Sequence, residues 1–403
     1  MKRFKKIRDA LKFLGLLVLV LISFCFAMIQ GGFVSWFIFA AFVPLVLYSS
    51  LLFIYPVQKI QVVRELEKNE YIAGETVRVR LKITLPWRFP VPYLIIHDQV
   101  IKKRKKNDTQ SWHTLEHPFF KKSFVCEYEM PRIRRGEFTF TDVQFTIADL
   151  FGFVRKSQRV HVENHIIVYP QTIPLKFFPE AYEFDYGQAK TKDMVQRDTT
   201  IAVSVREYQQ GDRFSWINWK VTARKNKLMT KEFEQRKNQD VLFVLDRTPC
   251  QQFEVLVTFC ASMIEAVFNA GVVAGLYIFG TEREHIVARY GETQRKKIFR
   301  TLARVEDDAP LELARVIQED PLFRQHVQHM IFLVHALNKE LVSVFVELAR
   351  QRRQLSIYVI KDQYEQIRRE EYAYLSTLKQ KGITANILRE GEFASAMTGG
   401  EVG

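Results

Sequence analysis

The chain has 403 residues, 47% of them hydrophobic and 26% charged, with a formal net charge of +14. This length admits more than one domain, and the balance is that of a folded protein rather than a disordered one. Residues 1–55 hold six basic side chains and one acid; the remaining +9 is diffuse, which suits a domain near an anionic inner leaflet and marks no nucleic-acid site.

Leu11 to Ile29 is almost wholly apolar, and Phe33 to Ile54 is interrupted mainly by Ser35, Pro44, Ser49 and Ser50. Each run approaches the ~20 residues that a helix needs to cross a bilayer. Gln30-Gly31-Gly32 leaves room only for a tight loop, so residues 1–55 are expected to form a hairpin of two transmembrane helices, about 11–29 and 33–54. The cluster Lys2, Arg3, Lys5, Lys6, Arg8 and Lys12 should stay on the cytoplasmic side. Two crossings return the chain, placing both termini and residues 56–403 in the cytoplasm. The competing reading of Met1–Ile29 is a cleaved signal peptide; the second apolar run and the want of a small-x-small site argue against it. Cys25, Cys126, Cys250 and Cys260 are scattered without CxxC spacing, as free thiols in a reducing compartment would be.

Residues 56–170 have period two. Val77, Val79, Leu81 and Ile83 alternate with Arg78, Arg80 and Lys82, which puts the apolar set on one face of a sheet. Tyr93–Ile96, Phe124–Met130, Glu137–Ile147 and His165–Tyr169 also read as strands, separated by turns such as Ala73-Gly74-Glu75, Pro90-Val91-Pro92 and Arg135-Gly136-Glu137. Short strands at this spacing predict a β-sandwich of immunoglobulin type. The basic run Lys102–Lys106 is either a solvated loop or a contact for anionic headgroups.

Residues 171–240 are expected to link the sandwich to an α/β domain. They contain Arg206-Glu207-Tyr208-Gln209-Gln210-Gly211-Asp212-Arg213, followed by Trp216-Ile217-Asn218-Trp219-Lys220-Val221-Thr222-Ala223-Arg224. Asp212 is a good N-cap for a helix starting at Arg213, and Leu228–Glu234 alternates as a strand. Arg206, Glu207, Asp212 and Arg224 can form a charged brace for the segment. Alternatively, Arg206, Glu207, Asp212, Arg213, Trp216, Trp219, Lys220 and Arg224 make a recognition surface, since Trp and Arg dominate binding hot spots.

From residue 241 strands and helices alternate. Val241–Leu245, Val272–Phe279, Glu284–Arg289, Met330–Val334, Leu355–Ile360 and Ile383–Leu388 read as strands; helices are expected over Phe253–Phe268, about Ile298–Val305, Leu337–Arg352 and Tyr364–Lys381. This predicts a doubly wound sheet over 241–403, with any ligand at the carboxyl ends of its strands.

The Arg206–Arg224 stretch resembles the bacterial domain-of-unknown-function-58 family, as does the upstream order Arg134-Arg135-Gly136, Asp149-Leu150-Phe151-Gly152-Phe153 and Tyr169-Pro170. The resemblance implies a von Willebrand factor A-like C-terminal domain, whose metal motif is Asp-x-Ser-x-Ser. Asp246 and Thr248 match that motif in type, Cys250 replaces its second hydroxyl, and His335 stands where a distal acid is expected. Either a degenerate Mg²⁺ site survives on Asp246 and Thr248, or the strand end is a relic with Asp246 capping the next helix. His113-Thr-Leu-Glu-His117, and His326 with His329 and His335, read as ordinary histidines rather than metal ligands. No phosphate loop, GxGxxG, HExxH or nucleophile elbow is present. The resemblance further implies association with MoxR-type AAA+ ATPases. The leading expectation is a non-enzymatic, membrane-anchored adaptor; the alternatives are a Mg²⁺-dependent ligand-binding module and a hydrolase built on Cys250, Cys260 and His335.

Overall fold

The computed structural model describes residues 2–103, 109–149, 151–175, 202–209, 214–233, 240–279, 283–324, 329–351, 354–363 and 365–393. They fall into two compact units, Met1–Gln171 with Arg300–Val305, and Thr172–Phe299 with Glu306–Gly403.

The first unit begins with helices α1 (Lys2–Gln30) and α2 (Phe33–Ile54), which pack on one another. Gly31 makes the reversal at φ +62°, a region that disfavours residues with a Cβ. Among the described residues α2 alone is long and apolar enough to cross a membrane; the apolar stretch Leu14–Gln30 of α1 is shorter. Of the two expected spans, the composition thus supports the second as an anchor.

Eight strands follow: β1 (Gln61–Leu66), β2 (Glu70–Ile72), β3 (Val77–Thr84), β4 (Tyr93–Lys102), β5 (Thr109–Glu116), β6 (Ser123–Met130), β7 (Gly136–Ala148) and β8 (Arg155–Tyr169). They form a three-stranded sheet, β1-β3-β6, and a five-stranded sheet, β2-β8-β7-β4-β5. Both contribute to one core, with Val79 and Leu81 from the first and Ile96, Phe140 and Phe145 from the second. The β3 alternation is realised: Val77, Val79, Leu81 and Ile83 are buried. Their polar neighbours form cross-strand pairs, Arg78 with Glu129 at 2.9 Å and Arg80 with Glu127 at 2.6 Å. The reading missed β1, β2 and β5; β5 carries His113, and His117 follows its end, so their i, i+4 spacing does not place them on one helical face. Gly136 adopts φ +148°, a backbone conformation that residues with a Cβ rarely take.

In the second unit β9 (Ala202–Glu207) pairs with β10 (Met229–Phe233), with helix α3 (Trp219–Lys225) between them in sequence. Beyond them lie β11 (Val241–Leu245), α4 (Phe253–Asn269), β12 (Ala274–Ile278), β13 (Glu284–Arg289), α5 (Glu292–Arg304, of which the residues from Arg300 on count with the first unit), α6 (Leu313–Glu319), β14 (His329–Val334), α7 (Lys339–Arg350), β15 (Gln354–Lys361), α8 (Arg369–Gln380) and β16 (Thr384–Arg389). The sheet order is β13-β12-β11-β14-β15-β16, parallel except for β13. β11, and β14 after His329, are wholly apolar, as strands buried on both faces tend to be. Leu242, Val244, Phe332 and Val359 pack on one face with Leu313, Phe345 and Leu378 of α6, α7 and α8. On the other face Phe259 of α4 meets Tyr358 of β15 edge-on at 5.5 Å. The helix α6 was not foreseen.

Candidate functional site

Two places carry the residues singled out by the sequence. The first is the carboxyl edge of the six-stranded sheet. Chain order reverses there: β11 is flanked by β12 on one side and β14 on the other. The crevice beyond such a switch point is where open α/β sheets bind ligands. Asp246 follows β11 and His335 follows β14, so the topology brings them together across that crevice. His335 Nδ1 lies 3.1 Å from Asp246 Oδ2. The other carboxylate oxygen accepts from the Thr248 amide at 3.0 Å and the Thr248 hydroxyl at 2.7 Å. Asp246 therefore does not cap α4, whose N-cap position is Gln252. Its carboxylate instead closes a turn onto Thr248.

This donor set does not suit a hard cation. Mg²⁺ needs several oxygens in octahedral array. Both carboxylate oxygens of Asp246 already have partners, His335 takes the place of an acid, and Cys250 offers sulfur. Among the described residues no group of three or more His, Cys, Asp or Glu side chains is placed to hold a metal. Nor does the edge offer a thiolate. Burial, then the charge of Asp246, pushes the Cys250 thiol up to about 11. Burial alone raises the wholly buried Cys260. His335 faces Asp246 rather than either sulfur. His329 is at the opposite end of β14, buried with Nε2 3.0 Å from the Ser356 hydroxyl, so it does not cluster with His335; His326 lies outside the described residues.

Arg247 is buried beside this turn. Its Nε donates to the Glu306 carbonyl at 2.7 Å, and its guanidinium pairs with Asp308. Further along the edge Lys361, at the end of β15, holds Glu365 and Glu371, each at 2.9 Å. Sequence reading passed over Lys361. Its signal was a lysine in register with an otherwise apolar strand, where a charge persists only when paired.

The second place is the Arg206–Arg224 segment. The expected helix from Arg213 is corrected: Phe214–Trp216 is a single 3-10 turn, and α3 starts at Trp219 with Asn218 as its cap. The Asn218 side chain accepts from the Val221 amide at 3.3 Å. Ile217 forms a bridge to Thr230, and the Asn218 amide donates to the Met229 carbonyl at 2.8 Å. The backbone of residues 217 and 218 is thereby claimed by β10, and a helix cannot form until it is released. Ile217, Met229 and Thr230 are buried and pin the segment. Glu207 pairs with Lys227 at 2.9 Å, and the Arg206 guanidinium donates to the Glu207 carbonyl at 3.1 Å. Asp212 and Arg213 lie outside the described residues.

The remaining candidates divide by exposure. Trp216 and Arg206 are half-buried; Glu207, Lys220 and Arg224 are exposed. Trp219 is 65% exposed and Phe214 73%, and Tyr208 stacks on Phe214 at 6.1 Å. Phe214 was missed as a surface residue, because an aromatic beside Trp216 and Ile217 reads as core.

A family model described as "Protein of unknown function DUF58" matches residues 204–367. The chain is 30% identical over 384 residues to "Uncharacterized protein YeaD" of Bacillus subtilis (strain 168), covering 93% of this chain and 95% of that one. Among solved structures it is similar to the CARDB domain of the PF1109 protein from Pyrococcus furiosus (TM-score 0.18, 10% identity, 27% of this chain and 92% of that one). It is likewise similar to the putative ApaA protein from Bordetella pertussis (TM-score 0.20, 9% identity, 27% and 92%). At those scores neither structure carries an argument.

Proposed function

The chain belongs to the family of proteins of unknown function DUF58, and we propose that it is a membrane-anchored, non-enzymatic interaction protein. The observation that carries this reading is the face around α3. Phe214 and Trp219 are large aromatics left in solvent on a segment pinned from beneath, and Lys220, Arg224, Lys225 and Lys227 stand exposed nearby. Aromatic and basic side chains together are the composition of a binding hot spot. The carboxyl edge supports the same reading, since the acid and the histidine at its switch point are hydrogen-bonded to each other.

In this proposal α1 and α2 both cross the membrane, and both termini are cytoplasmic. Residues 56–170 are an immunoglobulin-like sandwich, 171–240 a linker carrying the binding segment, and 241–403 a von Willebrand factor A-like domain. The two sheets around one core support the first layout, and the reversal at β11 and β14 the last. The partner, inferred from the family resemblance, is a MoxR-type AAA+ ATPase acting in envelope or complex assembly.

The test is co-purification from membranes with the full chain, Trp219→Ala and Arg224→Glu. A hexameric ATPase should accompany the full chain and be lost from both variants, while their circular dichroism stays unchanged. Recovery of no ATPase with the unaltered chain sinks the reading, as does equal recovery with both variants.

A further inference from the structure

We propose that the end of the β-sandwich nearest α2 is a membrane-docking surface, whose loops insert aromatic side chains into the bilayer interface. This rests on the reading of α2 as a membrane span. Of three loops at this end, two meet the last turns of α2 directly. The Tyr48 hydroxyl donates to the Pro90 carbonyl at 3.0 Å, Tyr55 meets Trp87 edge-on at 6.0 Å, and the Ser49 hydroxyl donates to Asp149 Oδ2 at 2.9 Å. The third loop, 117–122, joins them through the bridge of Phe119 to Val91. On these loops Trp87, Phe119, Phe120 and Phe151 are each more than half exposed. Such a set at one end of a soluble sandwich is an apolar patch that wants a partner.

The length of α2 identifies that partner as the bilayer. Phe151 and Phe153 line a groove with Phe42 and Leu45, well before the helix ends. The stretch from Phe33 to Leu45 rises only ~20 Å, against a hydrocarbon thickness of ~30 Å. The missing ~10 Å is at the depth of the loops. There α2 turns Tyr48, Ser49 and Leu52 toward the sandwich but leaves Leu51, Phe53 and Ile54 exposed. A helix face that is apolar through Ile54 needs lipid beside it, and the loops share that level. Exposed basic side chains stand next to the aromatics of each loop: Arg88, Lys121 with Lys122, and Arg155 at the start of β8. Aromatics at the headgroup boundary, with cations on the phosphate side, are the pattern of a membrane interface.

The test uses the full chain in vesicles of phosphatidylcholine and phosphatidylglycerol, with Cys25 and Cys250 replaced by serine. Nitroxides are placed singly by Phe120→Cys, Phe151→Cys, Glu67→Cys and Phe37→Cys, and their collisions with oxygen and with a water-soluble nickel chelate are compared. Glu67 is exposed at the opposite end of the sandwich, and Phe37 lies in the span. Nickel accessibility at 120 and 151 should be several-fold below that at 67. Brominated phosphatidylcholine should also quench Trp87, read as the difference between the chain with and without Trp87→Phe. If 120 and 151 are as accessible as 67 and Trp87 is not quenched, while 37 is protected, the docking proposal is overturned and the anchor stands. If 37 is equally accessible, the anchor reading falls with it.

Discussion

At the scale of single residues, the carboxyl edge of the sheet is defined by what its side chains do to one another. With its thiol pushed up to about 11, Cys250 is protonated at neutral pH. Maleimide labelling of that site should be slow at pH 7 and rise about tenfold per pH unit, the behaviour of an unactivated thiol. Fast labelling at pH 7 would revive the hydrolase alternative. Calorimetry with millimolar Mg²⁺ or Mn²⁺ should detect no heat that Asp246→Ala removes, because both Asp246 oxygens are already engaged. His329 gives a pH dependence of its own. Burial lowers its ring to about 4 from an ordinary 6.5. Below 6.5 the unfolded chain takes up a proton that the native ring refuses until about pH 4. Its contribution is therefore fully present above 6.5 and lost as pH falls toward 4, to the extent of ~3 kcal/mol at about 1.4 kcal/mol per unit. Denaturation of the detergent-solubilised chain should show this loss, and the difference from His329→Gln isolates it from the other groups that titrate there. A stability difference flat from pH 7 to 4 would contradict it.

At the scale of elements, the strands legible in sequence were those whose outward residues were plainly polar, such as β3. β1 and β4 hide a different device. Arg64 and Asp98 occupy inward positions on strands of opposite sheets, and Arg64 grips Asp98 through two nitrogens, at 2.6 and 3.1 Å. The Tyr128 hydroxyl donates to the same carboxylate at 2.7 Å. A charge in phase with the apolar face of one strand, matched by its opposite on another, was the available signal. Pairing across the core cannot be read without knowing which strands face each other. Removing one partner of such a pair strands the other charge, so Arg64→Ala should destabilise the sandwich by about 3–5 kcal/mol. Thermal unfolding checks this, and Arg64→Ala with Asp98→Ala together should cost less than Arg64→Ala alone. For α3, both Asp212 and Asn218 are good caps in sequence. Pairing of residues 217 and 218 with β10 decided between them, and propensity carries no knowledge of that pairing. Asn218→Ala should weaken α3 by about 1 kcal/mol, read as faster amide exchange at Val221.

At the scale of the whole molecule, sequence could place an anchor and a β-rich region in order but not say which end of the sandwich faces the anchor. That required the loops. Tyr93 starts the ten-residue β4 at the α2 end, and Lys102 closes it, at about 3.3 Å per residue. Lys102 and Lys103 therefore lie at the far end, where Lys103 approaches Glu137 at 3.7 Å. Of the basic run Lys102–Lys106, Lys102 is buried and residues 104–106 lie outside the described residues. The basic residues suited to lipid are instead Arg88, Lys121, Lys122 and Arg155. The number of crossings decides which leaflet they meet. If α2 alone spans, the basic start of α1 holds the N-terminus inside and the sandwich is carried outside. If α1 spans as well, the sandwich returns to the inner leaflet, where anionic lipid suits these cations and the +9 of residues 56–403. Fusions after Gly403 separate the two. In the two-crossing arrangement a fluorescent protein there should light up and an alkaline phosphatase should stay inactive. The reverse result would remove a cytoplasmic ATPase as partner, yet leave the aromatic loops at the opposite face of the same bilayer.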